Sequence, residues 1–255
     1  MAKHVDLNAD MGESFGPWTM GDDAALLQIV TSANVACGFH GGDWDVMART
    51  MHLAAHHKVG VGAHPGFPDL QGFGRQRMQM GPDSLRNMIT YQLGAAQAMA
   101  ALAGTPLRHA KLHGALANMC AEDAALARVC LGAIQSFDPA LPVLVQACTA
   151  QEAVAQEIGQ PWAGEIFADR AYNDDGTLVD RRLPGAVIHD PAIAAQRMVQ
   201  MLRGDAIICD SGQRLPAQID TICLHGDTPE AVSIALAVRA GLEAAGIRLC
   251  RLGAC

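Results

Sequence analysis

Short apolar segments alternate with longer amphipathic segments along the chain, and this alternation limits the fold more than any other feature. Strand candidates occupy residues 4–10, 32–38, 59–64, 108–113, 141–146, 164–169 and 220–225. Helix candidates lie between and after them, at 22–31, 43–57, 82–103, 122–136, 149–158, 190–203 and 228–245. Alternating strands and helices predict a parallel sheet with right-handed crossovers. Seven repeats favour a closed or nearly closed barrel, although an open sheet has the same periodicity.

Two segments depart from this alternation. Residues 171–189 and 205–218 each contain a turn sequence and are expected to form short hairpins or excursions. The chain shows no linker, low-complexity segment or internal repeat, and 255 residues suit one α/β barrel. We therefore expect a single domain over residues 1–255.

Charge and hydropathy exclude several classes of protein. The formal net charge is −8, and the chain has no polybasic patch because its only lysines are Lys3, Lys58 and Lys111. Binding to nucleic acid or to an anionic membrane surface requires a basic footprint, so neither is expected. No apolar stretch approaches the roughly 18 residues of a membrane span, and the N-terminus shows no apolar signal core. We expect a cytoplasmic protein.

The cysteines do not have the spacing of a metal or redox motif. No CxxC pair occurs, which excludes a zinc ribbon and a thioredoxin-like site. Isolated cysteines with apolar neighbours usually behave as small buried hydrophobic residues. All eight are expected in the core: Cys37, Cys120, Cys130, Cys148, Cys209, Cys223, Cys250 and Cys255.

Polar side chains alternate with apolar ones in the first strand candidate. Leu7 and Ala9 lie on one face of the strand, and Asp6, Asn8 and Asp10 lie on the other. In a barrel surrounded by helices the apolar face must contact the helices. The three polar side chains are therefore predicted to point into the barrel.

Histidines end four of the strand candidates. Parallel-barrel enzymes build their sites at the C-terminal ends of the strands. A single histidine there is ordinarily a structural group, but several histidines with buried carboxylates are hard to explain by packing, since buried charges need partners. The predicted cluster consists of His40, His64, His113 and His225 with Asp10, Glu165 and Asp169.

Histidines and carboxylates together suit either acid–base chemistry or a divalent metal ion, and the sequence leaves both open. The candidate metal ligands are Asp6, Asp10, His40 and His64. The loop 72–77 after the third strand is either a lid whose Arg75 binds a carboxylate or phosphate, or a solvated surface loop. Neither GxxxxGK[ST] nor GxGxxG occurs, so the chain itself lacks a recognisable nucleotide site.

Five segments resemble those of the LamB/YcsF family. They are Asp6–Gly16 (DLNADMGESFG), Ser32–Asp43 (SANVACGFHGGD), Gly62–Pro65 (GAHP), Glu165–Tyr172 (EIFADRAY) and Leu224–Pro229 (LHGDTP). They occur in order and extend over most of the chain. One departure lies after the fourth strand, where the family usually has KPHGALYN and this chain has KLHGALAN. Leu112 and Ala117 replace the family's proline and tyrosine there.

This resemblance implies a fold and a function. The implied fold is a distorted seven-stranded β/α (TIM-like) barrel of the glycoside hydrolase/deacetylase type. The implied activity is that of an ATP-dependent 5-oxoprolinase, which converts 5-oxo-L-proline into L-glutamate and requires partner subunits B and C. ATP would be a co-substrate of the whole complex, and a divalent metal stays an open expectation.

Within that implied function, we hypothesise a role for each polar residue at the predicted site. The catalytic candidates are Asp10, Asp169, His64 and His113, with the two aspartates as candidates for general base and for orienting water or a metal. The substrate-binding candidates are Asn8, Glu13, His40, Arg75, Lys111, His225 and Asp227. Two alternatives stay open. One is a metal-dependent, deacetylase-like hydrolase that acts alone on an N-acyl sugar. The other is a non-catalytic subunit that binds a carboxylate.

Overall fold

Seven parallel strands close into a barrel in the structure, a computed structural model that describes residues 3–254. The described residues form ten strands, seven of which belong to the barrel: β1 His4–Met11, β2 Ser32–Ala36, β3 Gly60–His64, β4 Leu107–Lys111, β5 Val143–Gln146, β6 Trp162–Phe167, β7 Ala206–Ile208, β8 Arg214–Pro216, β9 Thr221–Leu224 and β10 Arg248–Leu249. The barrel order is β1-β2-β3-β4-β5-β6-β9, and β9 pairs with β1 to close it. The closed barrel predicted from the sequence is confirmed, and the open sheet is excluded.

Helices surround the barrel. They are α1 Asp23–Leu26, α2 Trp44–His56, α3 Pro82–Leu102, α4 Gly114–Glu122, α5 Ala124–Phe137, α6 Ala150–Ile158, α7 Pro191–Gly204 and α8 Ala231–Ala244. Among the described residues, none of these helices is long and apolar enough to cross a bilayer.

Two helix predictions need correction. The helix expected at 122–136 corresponds to α5 within two residues, but α4 was not predicted, and Asp123 separates the two helices in an extended conformation. Its carboxylate accepts hydrogen bonds from the amides of Ala125 and Leu126 and so begins α5. The segment 22–31 was expected as a full helix, yet only the four residues of α1 are helical.

Helix starts were predicted with mixed success. Asp43 begins α2 by accepting from the amide of Val46 at 2.8 Å, as its sequence context predicts. Asp190 begins α7 in the same way, with Pro191 in the first turn. The expected start of α8 at Thr228–Pro229 was wrong, because the helix begins at Ala231 without a side-chain cap.

The two excursions differ from each other. Residues 205–218 contain the antiparallel pair β7–β8, so a hairpin is confirmed there. Residues 171–189 form only isolated bridges, between Arg170 and Val187 and between Tyr172 and Leu178. The Tyr172 hydroxyl accepts a hydrogen bond from the Phe167 amide at 2.6 Å, which ties this excursion to the end of β6. The short parallel pairing of β10 with β1 was not predicted.

The barrel buries apolar side chains between strands and helices and polar side chains inside. Leu7 and Ala9 are fully buried in the apolar layer, whereas the carboxylate and amide groups of Asp6, Asn8 and Asp10 lie in the interior. The alternation read from β1 is therefore confirmed.

Most cysteines follow the same rule. Cys37, Cys120, Cys130, Cys209 and Cys223 are buried as expected. Cys148 and Cys250 are only half-buried, so the prediction was wrong for them, and Cys255 lies outside the described residues.

The close packing around Gly62 in β3 leads to a prediction about stability. A Cβ atom at this position would lie 2.1 Å from Nε2 of His109, whose ring fills the barrel interior. We expect Gly62→Ala to lower the free energy of unfolding by about 1–3 kcal/mol, the usual cost of overpacking a core. Urea unfolding followed by circular dichroism measures this difference.

The matched control is Gly132→Ala on α5, where a Cβ atom would meet nothing within 4 Å. Helical alanine in place of glycine should stabilise the protein by about 0.5–1 kcal/mol. Equal stability for the two variants would contradict the close packing at Gly62.

Candidate active site

A cleft of about 760 Å³ lies at the C-terminal ends of the barrel strands. Seven of the site residues expected from the sequence line it: Asp10, His64, Arg75, Lys111, His113, Glu165 and His225. Leu112 and Ala117, the two departures from the family pattern, also line the cleft, so the alanine leaves room where a tyrosine would stand. The other expected residues lie beneath, behind or at the edge of this surface.

Asp6 lies in the lowest polar layer of the barrel. Its carboxylate accepts hydrogen bonds from the hydroxyls of Thr31, Ser32 and Thr221 at 2.5–2.7 Å. Burial raises the pKa of Asp6, although these hydroxyl donors oppose the shift. Asp6 neither lines the cleft nor joins a group of potential metal ligands, so its position is that of a structural residue.

Amide side chains form the next layer. Nδ2 of Asn8 donates to the Thr221 hydroxyl at 2.7 Å and to Oε1 of Glu165 at 3.0 Å. Nδ2 of Asn34 donates to Oδ1 of Asn8 at 2.7 Å, and Nε2 of His109 donates to Oδ1 of Asn34 at 2.7 Å. Asn8 therefore supports the cleft from below and does not line it. A role for His109 was not predicted from the sequence, because in its strand only the polar residues at the C-terminal end were considered.

Lys111 connects this layer to the cleft. Its Nζ lies 2.9 Å from Oδ1 of Asp10, 3.0 Å from Oε1 of Glu165 and 2.9 Å from Sγ of Cys223. Burial alone would lower the pKa of Lys111, but the two carboxylates and Cys223 hold it well above its usual value. Burial would likewise raise the pKa of Asp10, but His64 and then Lys111 hold it well below. Both groups are charged, and Lys111 has no donor to spare for a substrate carboxylate.

Two histidines form a hydrogen-bonded pair beside Asp10. Nδ1 of His64 donates to the Lys111 carbonyl at 2.8 Å, and Nε2 of His113 donates to the Phe73 carbonyl at 2.8 Å. The remaining nitrogens, Nε2 of His64 and Nδ1 of His113, lie 3.0 Å apart. That contact needs one more proton, so the two rings together carry three protons and one positive charge.

The neighbouring groups decide which of the two histidine rings carries the positive charge. Burial and the neighbouring His64 hold the pKa of His113 well below its usual value. Oδ2 of Asp10 lies 3.4 Å from Nε2 of His64, so the aspartate faces the ring that carries the proton. In this state Asp10, His64 and Lys111 form a continuous charged group at the floor of the cleft.

Glu13 and His40 lie directly behind His113. The His40 ring stacks on His113 with a centroid distance of 3.5 Å, and its Nε2 lies 3.2 Å from Oε1 of Glu13. Burial and the nearby Asp10 raise the pKa of Glu13 well above its usual value. Nδ1 of His40 is buried and has no hydrogen-bond partner within residues 3–254.

Glu13, His40, His64 and His113 could together hold a metal ion. Each offers one ligand atom, and these atoms lie within 4.8 Å of one another. His64 and His113 direct their outer nitrogens to backbone carbonyls, as metal-binding histidines do. The donors suit a zinc-like ion. Of the four metal candidates from the sequence, His40 and His64 belong to this group and Asp6 and Asp10 do not.

A second group of donors does not suit a cation. Asp10, Cys223 and His225 offer ligand atoms within 4.8 Å of one another. However, the Lys111 ammonium already lies 2.9 Å from both Asp10 and Cys223. A metal ion there would have to displace a buried positive charge.

Asp169 and His225 form a dyad at the end of β6 and β9, and His225 lies close to Asp10. Nδ1 of His225 lies 2.9 Å from both carboxylate oxygens of Asp169 and donates to them. Burial alone would raise the pKa of Asp169, but His225 and then Arg181 and Arg170 lower it. With Nδ1 protonated, Nε2 of His225 keeps its lone pair, which accepts from Arg181 at 3.2 Å. Asp169 thus orients His225 and does not itself line the cleft.

Arg170 and Arg181 also line the cleft and were missed by the sequence analysis. Arg170 directly follows Asp169 inside a motif shared with the family, which was a usable signal. Arg181 lies in the excursion 171–189, where no periodicity indicates which side chains point inward. Only the folded path of that segment brings it to His225.

The loop 72–77 closes one side of the cleft. Arg75 donates to Oδ2 of Asp227 at 2.7 Å, across the opening, and its guanidinium lies 4.9 Å from the Phe73 ring centre. A Cβ atom at Gly74 would come within 2.7 Å of the rings or side chains of His40 and His113. Gly74 is thus packed on the histidines, whereas residues 75–77 are exposed, so the loop is both anchored to the site and partly solvated. Asp227 binds Arg75 and does not face the cleft.

The seven-stranded barrel places this chain among the β/α-barrel proteins, and comparison with solved structures gives the same fold. The catalytic domain of peptidoglycan N-acetylglucosamine deacetylase from Eubacterium rectale has a TM-score of 0.54 at 10% identity, covering 100% of this chain and 90% of that one. At that identity the likeness shows the fold alone, a deacetylase-type β/α barrel.

The family is shown by closer matches. A model of the LamB/YcsF family matches residues 5–255. The A subunit of 5-oxoprolinase from Ruegeria pomeroyi is 64% identical over 243 residues, covering 95% of this chain and 96% of the relative. The crystal structure of the lactam utilization protein from Thermus thermophilus has a TM-score of 0.92 and 41% identity, covering 98% of this chain and 100% of that one. This chain belongs to the LamB/YcsF family.

The buried ion pair of Lys111 leads to a stability prediction. In Lys111→Met, the carboxylates of Asp10 and Glu165 stay buried without their cation, which costs about 3–5 kcal/mol of unfolding free energy. The control Arg77→Met breaks an exposed pair with Glu122 and should cost less than about 1 kcal/mol. Urea unfolding at pH 7 compares the two variants.

The difference between wild type and Lys111→Met should shrink as the pH falls. Asp10 has a lowered pKa in the folded protein, so its stabilising contribution is present above the unfolded value of about 3.9 and is lost as pH falls through the folded value. The unpaired carboxylates of the variant also take up protons there. A deficit that stays constant between pH 7 and pH 2 would contradict this electrostatic origin.

Proposed function

We propose that this chain is the A subunit of an ATP-dependent 5-oxoprolinase that converts 5-oxo-L-proline into L-glutamate. The observation that carries this proposal is the cleft, where an ionised Asp10–Lys111 pair, a charged histidine pair and an Asp169–His225 dyad converge. Family membership supports the same activity, because one relative is the A subunit of a 5-oxoprolinase and another is a lactam utilization protein.

The chemistry divides into activation and ring opening. A lactam is a poor electrophile, because its nitrogen shares electrons with the carbonyl. Transfer of the γ-phosphoryl group of ATP to the lactam oxygen makes the ring carbon electrophilic and leaves ADP. Water then adds to that carbon, the carbon–nitrogen bond breaks as the nitrogen takes up a proton, and hydrolysis of the resulting acyl phosphate gives glutamate and phosphate.

We assign activation to partner subunits B and C and ring opening to this chain. The sequence has neither of the common glycine-rich phosphate motifs, whereas the cleft holds the groups that move protons. His225 is the proposed base, because its Nε2 lone pair faces the cleft and Asp169 stabilises the imidazolium that forms. Asp10 has too low a pKa for an efficient base, so we assign it to holding the charges of His64 and Lys111.

The charged pair of His64 and His113 supplies the other half of the chemistry. Its positive charge faces the floor of the cleft, where it stabilises negative charge on the oxygen during addition of water. The leaving nitrogen can take up the proton that His225 removes from water. A divalent ion held by Glu13, His40, His64 and His113 would replace the proton shared by the two rings and act as a Lewis acid there.

The potential metal ligands favour a second candidate, a metal-dependent hydrolase that acts without ATP. Its signature would be hydrolysis of an N-acyl sugar by the purified chain, abolished by a chelator and restored by zinc. The 5-oxoprolinase proposal has the opposite signature, namely dependence on ATP and on both partners.

Reconstitution separates the two candidates. We expect the purified chain alone to release no glutamate from 5-oxo-L-proline and ATP, because nothing in it activates the lactam. Addition of purified subunits B and C should give ATP-dependent glutamate release, measured with a coupled glutamate dehydrogenase assay. Rapid ATP-dependent release by the chain alone would contradict the division of labour, and N-acyl sugar hydrolysis without ATP would favour the second candidate.

Asp10→Asn tests the charged floor of the cleft. Asparagine keeps the shape of aspartate but cannot hold the charge of His64, so turnover of the reconstituted complex should fall by about two to four orders of magnitude. Lys111 keeps Glu165 as a partner, so the variant should stay folded.

The control for that variant is Asp83→Asn, which removes an exposed carboxylate from the start of α3. Its turnover should equal that of the wild type. Thermal unfolding of each variant chain is measured alongside. A lowered melting temperature with full turnover in Asp10→Asn would make Asp10 a structural residue only.

A further inference from the structure

Two arginines in the cleft wall have no acidic partner. Arg170 is only 3% exposed, and its guanidinium donates to the carbonyls of Ala186 at 3.3 Å and Val179 at 2.6 Å. Arg181 is half-buried, and its NH2 donates to Nε2 of His225 at 3.2 Å. Neither arginine forms an ion pair with a carboxylate of the described residues.

The other cations of the cleft are already paired. Arg75 binds Asp227, and Lys111 binds Asp10 and Glu165. Asp169 raises the pKa of both Arg170 and Arg181 but forms an ion pair with neither, so their positive charges are only partly compensated at this wall. A buried charge without a partner is unfavourable, so the wall favours binding of an anion.

Mutual repulsion among the arginines also favours binding of an anion at this wall. Burial and the neighbouring Arg181 lower the pKa of Arg170 to about 10. Burial and then Arg75 lower the pKa of Arg181. The three guanidinium groups thus repel one another at one wall of the cleft, Asp169 offsets part of this repulsion, and an anion between the arginines would relieve the rest.

The present partner of Arg181 is a weak one. A neutral imidazole nitrogen gives no ion pair, whereas a carboxylate or phosphate accepts two parallel hydrogen bonds from the planar guanidinium. An anion in the cleft would therefore compete well for Arg181. If Arg181 turns to the anion, Nε2 of His225 loses its donor, and its lone pair is free to accept a proton from water.

We infer that Arg181, with Arg170 beside it, binds an oxyanion of the substrate and that this binding frees Nε2 of His225. The anion site stands on the contacts within the cleft alone, whereas the role of His225 as the released base rests on the proposed function. The oxyanion is either the carboxylate of the lactam or the phosphoryl group on its activated form. In this arrangement the site becomes basic only when an anionic substrate is present.

Binding to the purified full chain tests the anion site without any assay of turnover. The probes are inorganic phosphate, 5-oxo-L-proline and the uncharged lactam 2-pyrrolidinone, each titrated by calorimetry. Arg181→Gln should weaken binding of at least one anion by about 10- to 100-fold, the loss of a charged hydrogen bond, and leave 2-pyrrolidinone unchanged. Arg128→Gln, which removes an exposed arginine paired with Glu157, is the matched control.

The two anions identify the group that Arg181 binds. Loss of phosphate affinity assigns the phosphoryl group, and loss of 5-oxo-L-proline affinity assigns the carboxylate. Unchanged affinity for both anions in folded Arg181→Gln would overturn the inference. Arg181→Lys, which keeps the charge without the planar fork, should give intermediate affinities and replaces the glutamine variant if that variant does not fold.

A separate measurement tests whether anion binding breaks the hydrogen bond from Arg181 to Nε2 of His225. In a chain labelled with ¹⁵N-histidine, the anion that binds should shift the Nε2 resonance of His225 in the wild type, because the Arg181 donor leaves. Arg181→Gln should lack that ligand-dependent shift. A wild-type resonance unchanged by saturating anion would overturn the switch. In the reconstituted complex, Arg181→Gln should raise KM about tenfold or more, whereas failure of wild-type reconstitution would count against the proposed function alone.

Discussion

The buried ammonium of Lys111 is the interaction on which the rest of the site depends. It lies between Asp10 and Glu165 inside the barrel, where either carboxylate alone would be an unpaired buried charge. His64 and Lys111 together keep Asp10 ionised, and Asp10 faces His64 at the cleft floor. The backbone carbonyl of the same lysine fixes the ring of His64 through Nδ1. Lys111 therefore contributes to both the charge and the orientation of its neighbours.

The polar interior explains how a barrel can carry so many ionisable groups and remain folded. Each layer satisfies the one above it, from Asp6 with its three hydroxyl donors, through Asn8 and Asn34, to Asp10. An incompletely bonded network in a low dielectric would destabilise the fold more than an apolar core would. Its cost is limited because strands, and not loops, hold these side chains in place.

The two walls of the cleft have different electrostatic character. Around Lys111 every charge is matched by an opposite charge at hydrogen-bond distance. Around Arg181 the positive charges repel one another and the nearest partner is neutral His225. In the proposed arrangement, the matched charges stay fixed and Arg181 turns to the anion. This asymmetry would place substrate recognition beside the fixed charges.

The sequence by itself determined the strand–helix alternation and located the histidines at the strand ends, because both depend on local patterns. It favoured a barrel, but only the pairing of β9 with β1 decided between a barrel and an open sheet. It could not determine which polar residues face the cleft. Asp169 and Lys111 sit at equivalent strand ends, yet one supports His225 from behind and the other is fully engaged in ion pairs. Arg181 lay in a segment without periodicity, and only the path of that excursion over the barrel brings its guanidinium to His225. Pairing between side chains far apart in the chain depends on three-dimensional distance, which local sequence patterns do not encode.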